Sequence, residues 1–116
     1  MKKILIVDDD KDIVISLKAM LESKGYEVFE AFSGQEALEV FNKSNPDVVL
    51  LDLMMERVDS GLTVCTQMRQ CKTNVKIYML SAVGNEAAAT IDITKSGFDG
   101  VLSKPIRAEE LFRLIE

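Results

Sequence analysis

No histidine and no tryptophan occur in this 116-residue chain, and it holds only two cysteines and two prolines. Each scarcity removes a class of function. Without histidine, and with Cys65 and Cys71 six residues apart, neither a zinc knuckle nor a CxxC redox pair can be written, so both read as reduced core or helix thiols. The formal net charge is −5, leaving no overall positive field to draw in phosphate backbones or anionic lipid. Direct binding to nucleic acid or to a membrane surface is therefore not expected. Long hydrophobic runs are missing as well: after the basic start, Ile4 to Val7 is too short for a signal peptide or a span, and a cytoplasmic location is expected. No linker, repeat or low-complexity segment interrupts the chain, and Pro46 and Pro105 merely flank apolar runs. At 47% hydrophobic the chain can build one core, so a single domain over residues 1–116 is expected.

What is present is a fivefold alternation. Apolar runs of strand length stand at Ile4 to Val7, Val28 to Ala31, Val48 to Leu51, Ile77 to Leu80 and Gly100 to Leu102, with helical spacing between them. In the first interval Ile13, Leu17, Met20 and Leu21 fall on one helix face, and Gly25 can close the helix in a left-handed cap. The next helix opens at "SGQE", where Ser33 and Glu36 have capping-box spacing, and it turns Ala37, Leu38 and Phe41 inward. Val64, Cys65 and Met68 mark a third helix, and "NEAAATIDITKSG" a fourth that Gly97 would end. The last, "AEELFRLIE", places Leu111, Leu114 and Ile115 on one side; it is short for covering a sheet edge, as expected of a piece cut from a longer chain. The first and third runs are near-continuously apolar, which a parallel sheet covered on both faces demands. The expected fold is a doubly wound, flavodoxin-like α/β domain with five parallel strands in the order 2-1-3-4-5.

In such sheets ligands bind beyond the carboxyl ends of the strands, near the point where strand order reverses. Polar residues collect there: Asp8 and Asp9 after the first run, Asp52 after the third, Ser81 after the fourth, Lys104 close behind the fifth. The second run ends in Ala31 and Phe32 and carries no functional group, as suits an edge strand. Carboxylates converging to about 4 Å repel by roughly 4 kcal/mol per pair at an effective dielectric of about 20. Either one of them keeps a proton, or a hard divalent cation such as Mg2+ takes oxygens from several. A magnesium site with a lysine and a hydroxyl has the parts for phosphoryl transfer, in which Lys104 and Ser81 bind phosphoryl oxygens and a carboxylate is the nucleophile. Asp52 stands alone on a central strand whereas Asp8 and Asp9 form a pair suited to a cation, so Asp52 is the expected nucleophile. Taken singly these residues have plainer readings. Asp10 or Asp12 can cap a helix, Ser81 a loop, Lys104 can be a solvated lysine, and Met54 and Met55 can be packing residues. The functional reading rests on four strand ends agreeing.

These residues, in this order, resemble the receiver domain of two-component response regulators, of the chemotaxis-regulator kind. "ILIVDDD" looks like the acidic-pair strand of that family, "VVLLDLMM" like its phosphoacceptor strand, "IYMLSA" like the strand ending in a hydroxyl, and "LSKPI" like its Lys-Pro signature. The resemblance covers the whole chain. It implies that Asp8, Asp9, Asp52 and the backbone carbonyl of Met54 hold magnesium. Asp52 would accept a phosphoryl group from a sensor histidine kinase or phosphotransfer protein, whose histidine this chain does not need. Lys104 would precede a cis proline, Pro105. The implied role is a signalling switch and not an enzyme. It acts on a downstream effector protein or domain through the fourth helix, fifth strand and fifth helix, and it leaves a phosphorylation-dependent homodimer open.

Three departures from the family pattern stand out. Val101 occupies the position of an aromatic that turns inward when the hydroxyl, here Ser81, moves to the phosphate; switching is then expected mainly in residues 82–85 and the fourth helix. The stretch "MMERVDSG" after Asp52 is one residue longer than usual, with Glu56 and Gly61 displaced from the family's proline and glycine positions. Met54 and Val83 are apolar where a residue could orient a hydrolytic water, so self-dephosphorylation should be slow, and Val83→Glu or Met54→Asn should alter its rate. The chief rival class is an enzyme. "IVDDDKD" fits the Asp-x-Asp pattern of haloacid-dehalogenase-like phosphatases, with Asp8 as nucleophile and Asp10 as acid/base, although the chain is short for that family and Asp52 would have no role. A receiver-like binding module that is never phosphorylated would typically lack one of the acids. A flavin-type cofactor binder would need a phosphate loop after the first strand, which is absent.

Overall fold

Five strands carry the fold: β1 (Lys3–Val7), β2 (Glu27–Ala31), β3 (Val48–Asp52), β4 (Lys76–Ala82) and β5 (Gly100–Lys104). The computed structural model describes residues 2–52, 66–68, 70–71, 74–82, 99–104 and 106–115. Every strand pair is parallel and the order is β2-β1-β3-β4-β5, so the doubly wound sheet expected from the sequence is the one formed. Strand order reverses between β1 and β3, and the carboxyl ends of these two central strands define the crevice.

Side-chain alternation divides the core into two layers. Leu5, Val7, Val49, Leu51, Ile77 and Met79 pack with Ala37 and Phe41, and Met68 from a helical stretch joins them. Ile4, Ile6, Leu50 and Leu80 pack on the opposite face with Val14, Leu17 and Leu21, and with Leu111 and Ile115 of the final helix (Ala108–Ile115). All five residues of β3 are buried, which explains why its sequence is continuously apolar up to Asp52.

Helix α1 (Lys11–Glu22) starts where the Asp10 side chain accepts the Asp12 N–H at 3.0 Å. Its buried stripe is Val14, Leu17 and Leu21, with Ile13 and Met20 half-buried, so the inward face is centred on Val14 and not on Ile13 as the spacing predicts. Gly25, at φ 88°, closes the helix: its N–H reaches the Glu22 carbonyl at 3.0 Å while the Tyr26 N–H reaches that of Leu21 at 3.2 Å. This pair of bonds is a Schellman closure, for which a left-handed glycine is favoured. Helix α2 (Gly34–Ser44) begins with Ser33 Oγ accepting the Glu36 N–H at 3.1 Å. Glu36 does turn back, but it accepts the Phe32 N–H at 3.0 Å, so the reciprocal bond lies one residue earlier than a capping box places it. Val64, Cys65, the expected fourth helix and Gly97 lie outside the described residues. Among the described residues no helix is long and apolar enough to cross a membrane.

At the amino rim two acids close identical rings. The Asp47 N–H donates to the Lys3 carbonyl at 2.8 Å and its carboxylate accepts the Lys3 N–H at 2.9 Å. Asp99 does the same with Ile77, at 2.7 and 2.8 Å. Both acids immediately precede a strand and engage the neighbouring strand, pinning the register of β3 on β1 and of β5 on β4.

Tyr78 lies in the α1-side layer, 8% exposed, and its hydroxyl donates to the Leu114 carbonyl at 3.1 Å. Burial, and after it the charge of Asp99, raises the phenol above its ordinary 10.0. In alkali the unfolded phenol loses its proton first. Between the two values the folded state alone keeps it, so stability falls as pH rises above about 10. Tyr78→Phe should cost about 1 kcal/mol at neutral pH for the lost hydrogen bond. It should also flatten this alkaline loss, as urea midpoints at neutral pH and at about pH 11 would show.

Candidate functional site

The register Val7↔Leu51 brings the ends of β1 and β3 level, so Asp8 and Asp52 stand side by side one step further on. Asp8 is fully buried, Asp52 is 6% exposed, and Asp9 faces solvent. Carboxylate oxygens of Asp8, Asp9 and Asp52 lie within 4.8 Å of one another, the one such group of acids among the described residues.

Local hydrogen bonding sets these positions. The Asp8 N–H donates to the Ala31 carbonyl at 3.2 Å, carrying the β1–β2 ladder one residue past the strand. Asp8 Oδ1 accepts the Asp10 N–H at 3.0 Å, an Asx turn that aims the carboxylate and leads the chain into α1. Asp10 is itself committed to capping that helix. Two buried acids and one exposed acid, all hard oxygen donors, are a set that suits a hard divalent cation whose remaining ligands are waters. Their mutual repulsion, about 3 kcal/mol for a pair near this separation at an effective dielectric of about 20, favours such a guest.

The other expected site residues follow from the ladder. Asp52 pairs with Leu80, so Ser81 comes one rung beyond it on β4. Lys104 pairs with Ala82, a further rung along at the end of β5. Asp8, Asp9, Asp52, Ser81 and Lys104 therefore come from four strand ends on one rim, as the sequence predicts. Val101 is half-buried, pairs with Met79 and packs against the α2-side layer. Met54, Glu56, Gly61, Val83 and Pro105 lie outside the described residues. Sequence reasoning missed Asp47, Asp99 and Tyr78, none of which touches this rim; the signal for the two acids is the repeated "DVVL" and "DGVL", an Asp directly before a strand.

The model of the response regulator receiver domain matches residues 4–116. The alkaline phosphatase synthesis transcriptional regulatory protein PhoP of Bacillus subtilis is 39% identical over 110 residues, covering 95% of this chain and 45% of that protein. Response regulator MprA of Mycolicibacterium vanbaalenii is 41% identical over 111 residues, covering 94% and 46%. The chain thus spans about half the length of the curated relatives it matches. Among solved structures, the receiver domain of Francisella response regulator 1452 superposes with a TM-score of 0.84 at 35% identity, covering 99% of this chain and 93% of that one. A CheY-like receiver domain protein from Methanospirillum hungatei superposes with a TM-score of 0.87 at 28% identity, covering 99% and 90%. With sequence, strand order and acidic rim in agreement, the chain belongs to the family of response regulator receiver domains.

Proposed function

We propose that this receiver accepts a phosphoryl group on Asp52, in a magnesium-dependent reaction, from the phosphohistidine of a sensor histidine kinase or phosphotransfer protein. The observation that carries the reading is the gathering of Asp8, Asp9 and Asp52 at the sheet's switch point. An Asp52 carboxylate oxygen attacks phosphorus, the P–N bond to the donor imidazole breaks, and the imidazole takes up a proton as it leaves. Asp8 and Asp9, with Asp52 and the Met54 carbonyl, would hold Mg2+, which supplies charge neutralisation for the phosphoryl oxygens. Ser81 and Lys104 bind those oxygens. Burial in β3 keeps Asp52 fixed and largely dry, so little reorganisation is needed when charge arrives. Because the product stays on the chain, the receiver is a signalling switch and not an enzyme with an external substrate.

Residues 1–116 form this one phosphoacceptor unit, and it works in the cytoplasm, where its kinase donor acts. Ser81 responds to the phosphoryl group, and the half-buried Val101 leaves the switch without an inward-turning aromatic. Its output is an effector protein or domain; the relatives named as transcriptional regulators favour one that acts on transcription, with no nucleic acid bound by this chain itself. Against the phosphatase reading stands Asp10, the required acid/base, whose side chain caps α1. The two readings separate under acetyl phosphate and magnesium, followed by borohydride reduction and peptide mapping. The receiver predicts a reduced acyl phosphate at Asp52 and no turnover of phosphomonoesters. Modification at Asp8 with turnover would overturn it.

A further inference from the structure

β4 bears both Ser81, at the rim, and Tyr78, three residues earlier. The distance between them along a strand is about 10 Å of stiff, hydrogen-bonded backbone. Opposite Tyr78 in the ladder stands Gly100, and the ring lies so close over it that a Cβ there would sit 3.1 Å from Cδ1 and 3.3 Å from Cε1. The missing side chain lets the phenol pass across β5 to the Leu114 carbonyl, one of the last-turn carbonyls that a helix leaves without an intrahelical partner. The final helix therefore registers the position of β4, the strand whose rung pairs with Asp52, past the intervening strand.

We propose that Tyr78 is a positioning residue that couples the carboxyl end of β4 to the last turn of the final helix, so that the helix reports the phosphorylation state of Asp52. This rests on the phosphoacceptor reading above. Two other contacts hold the same turn: Lys2 Nζ donates to the Ile115 carbonyl at 2.5 Å, and Lys24 Nζ lies 4.9 Å from the Phe112 ring centre. Both come from lysines on long, rotatable stems, which secure the helix while transmitting little of a neighbour's displacement. Tyr78 has only two side-chain torsions, and its ring is confined against the Gly100 backbone.

The test is amide NMR of the wild type and of Tyr78→Phe, each with and without magnesium and beryllofluoride as phosphoryl analogue. In the wild type the analogue should shift the amides of Asp8, Asp9 and Asp52 and also those of Leu111 to Ile115. In Tyr78→Phe the first group should shift as before and the second at least about twofold less. Gly100→Ala, which keeps the tyrosine but displaces its ring, and with it the hydroxyl, from the Leu114 carbonyl, should reproduce that loss. A merely structural tyrosine would alter the analogue-free spectrum and leave the analogue-induced shifts intact, and that result would overturn the coupling. So would a wild-type helix that does not respond. Silence at Asp8, Asp9 and Asp52 in the wild type would instead sink the phosphoacceptor reading, and the coupling with it.

Discussion

Asp8→Asn should melt at a higher temperature than the wild type when no metal is present, and magnesium should then add almost nothing to it. Asparagine keeps the oxygen that accepts the Asp10 N–H, so the turn into α1 survives. What disappears is one fully buried carboxyl group from a set of three acids within 4.8 Å. Relief of that repulsion should stabilise the metal-free protein by about 1–3 kcal/mol, discounted from the full Coulomb value because Asp9 is open to solvent. The wild type, for its part, should gain from the cation by mass action, about 2.7 kcal/mol at a hundredfold excess over Kd. Thermal unfolding of both proteins in chelator and in magnesium reads all four terms. A variant that is less stable without metal, or that keeps the full magnesium increment, would show that Asp8 is a structural acid.

The largest loss of stability is expected for Leu50→Ala. Leu50 is fully buried at the centre of β3, between Ile6 on β1 and Tyr78 on β4. A leucine truncated there leaves a cavity with stiff strands on both sides and helix α1 above, so the site cannot collapse. The expected cost is about 3–5 kcal/mol. Against a typical total of about 5–15 kcal/mol, this is enough to populate unfolded chains at physiological temperature. The same strand ends in Asp52 two residues later, so phosphoryl uptake per mole of protein should fall with the folded fraction. A urea midpoint that barely moves would mean the core between β1, β3 and β4 is looser than its burial implies.

How much of this was legible in the sequence differs from element to element. The strands were plain because β1 and β3 are covered on both faces, and burial on both faces leaves only an uninterrupted apolar run as the signal. Gly25 and Ser33 announced helix ends through properties of their own, a tolerated left-handed φ and a short hydroxyl side chain. The rim acids were legible because an acid ending an apolar run has no packing explanation. Asp47 and Asp99 were not, since an acid before a strand looks like any loop residue until the neighbouring strand is in place to receive it. Tyr78 was hidden for the same reason: its partner Leu114 is 36 residues away, and the gap at Gly100 that admits its ring exists only in the folded ladder. The centring of α1 on Val14 depends on how the helix rolls on the sheet, which helical periodicity alone leaves free by one residue.

On the proposed function, Asp52 is the residue that receives the phosphoryl group. Its most direct test is the intact mass of the wild type and of Asp52→Asn after incubation with acetyl phosphate, each in magnesium and in chelator. One phosphoryl adduct is expected on the wild type in magnesium, and none on either protein in chelator or on the variant under any condition. An adduct of equal yield on Asp52→Asn would place the phosphoryl group on another residue.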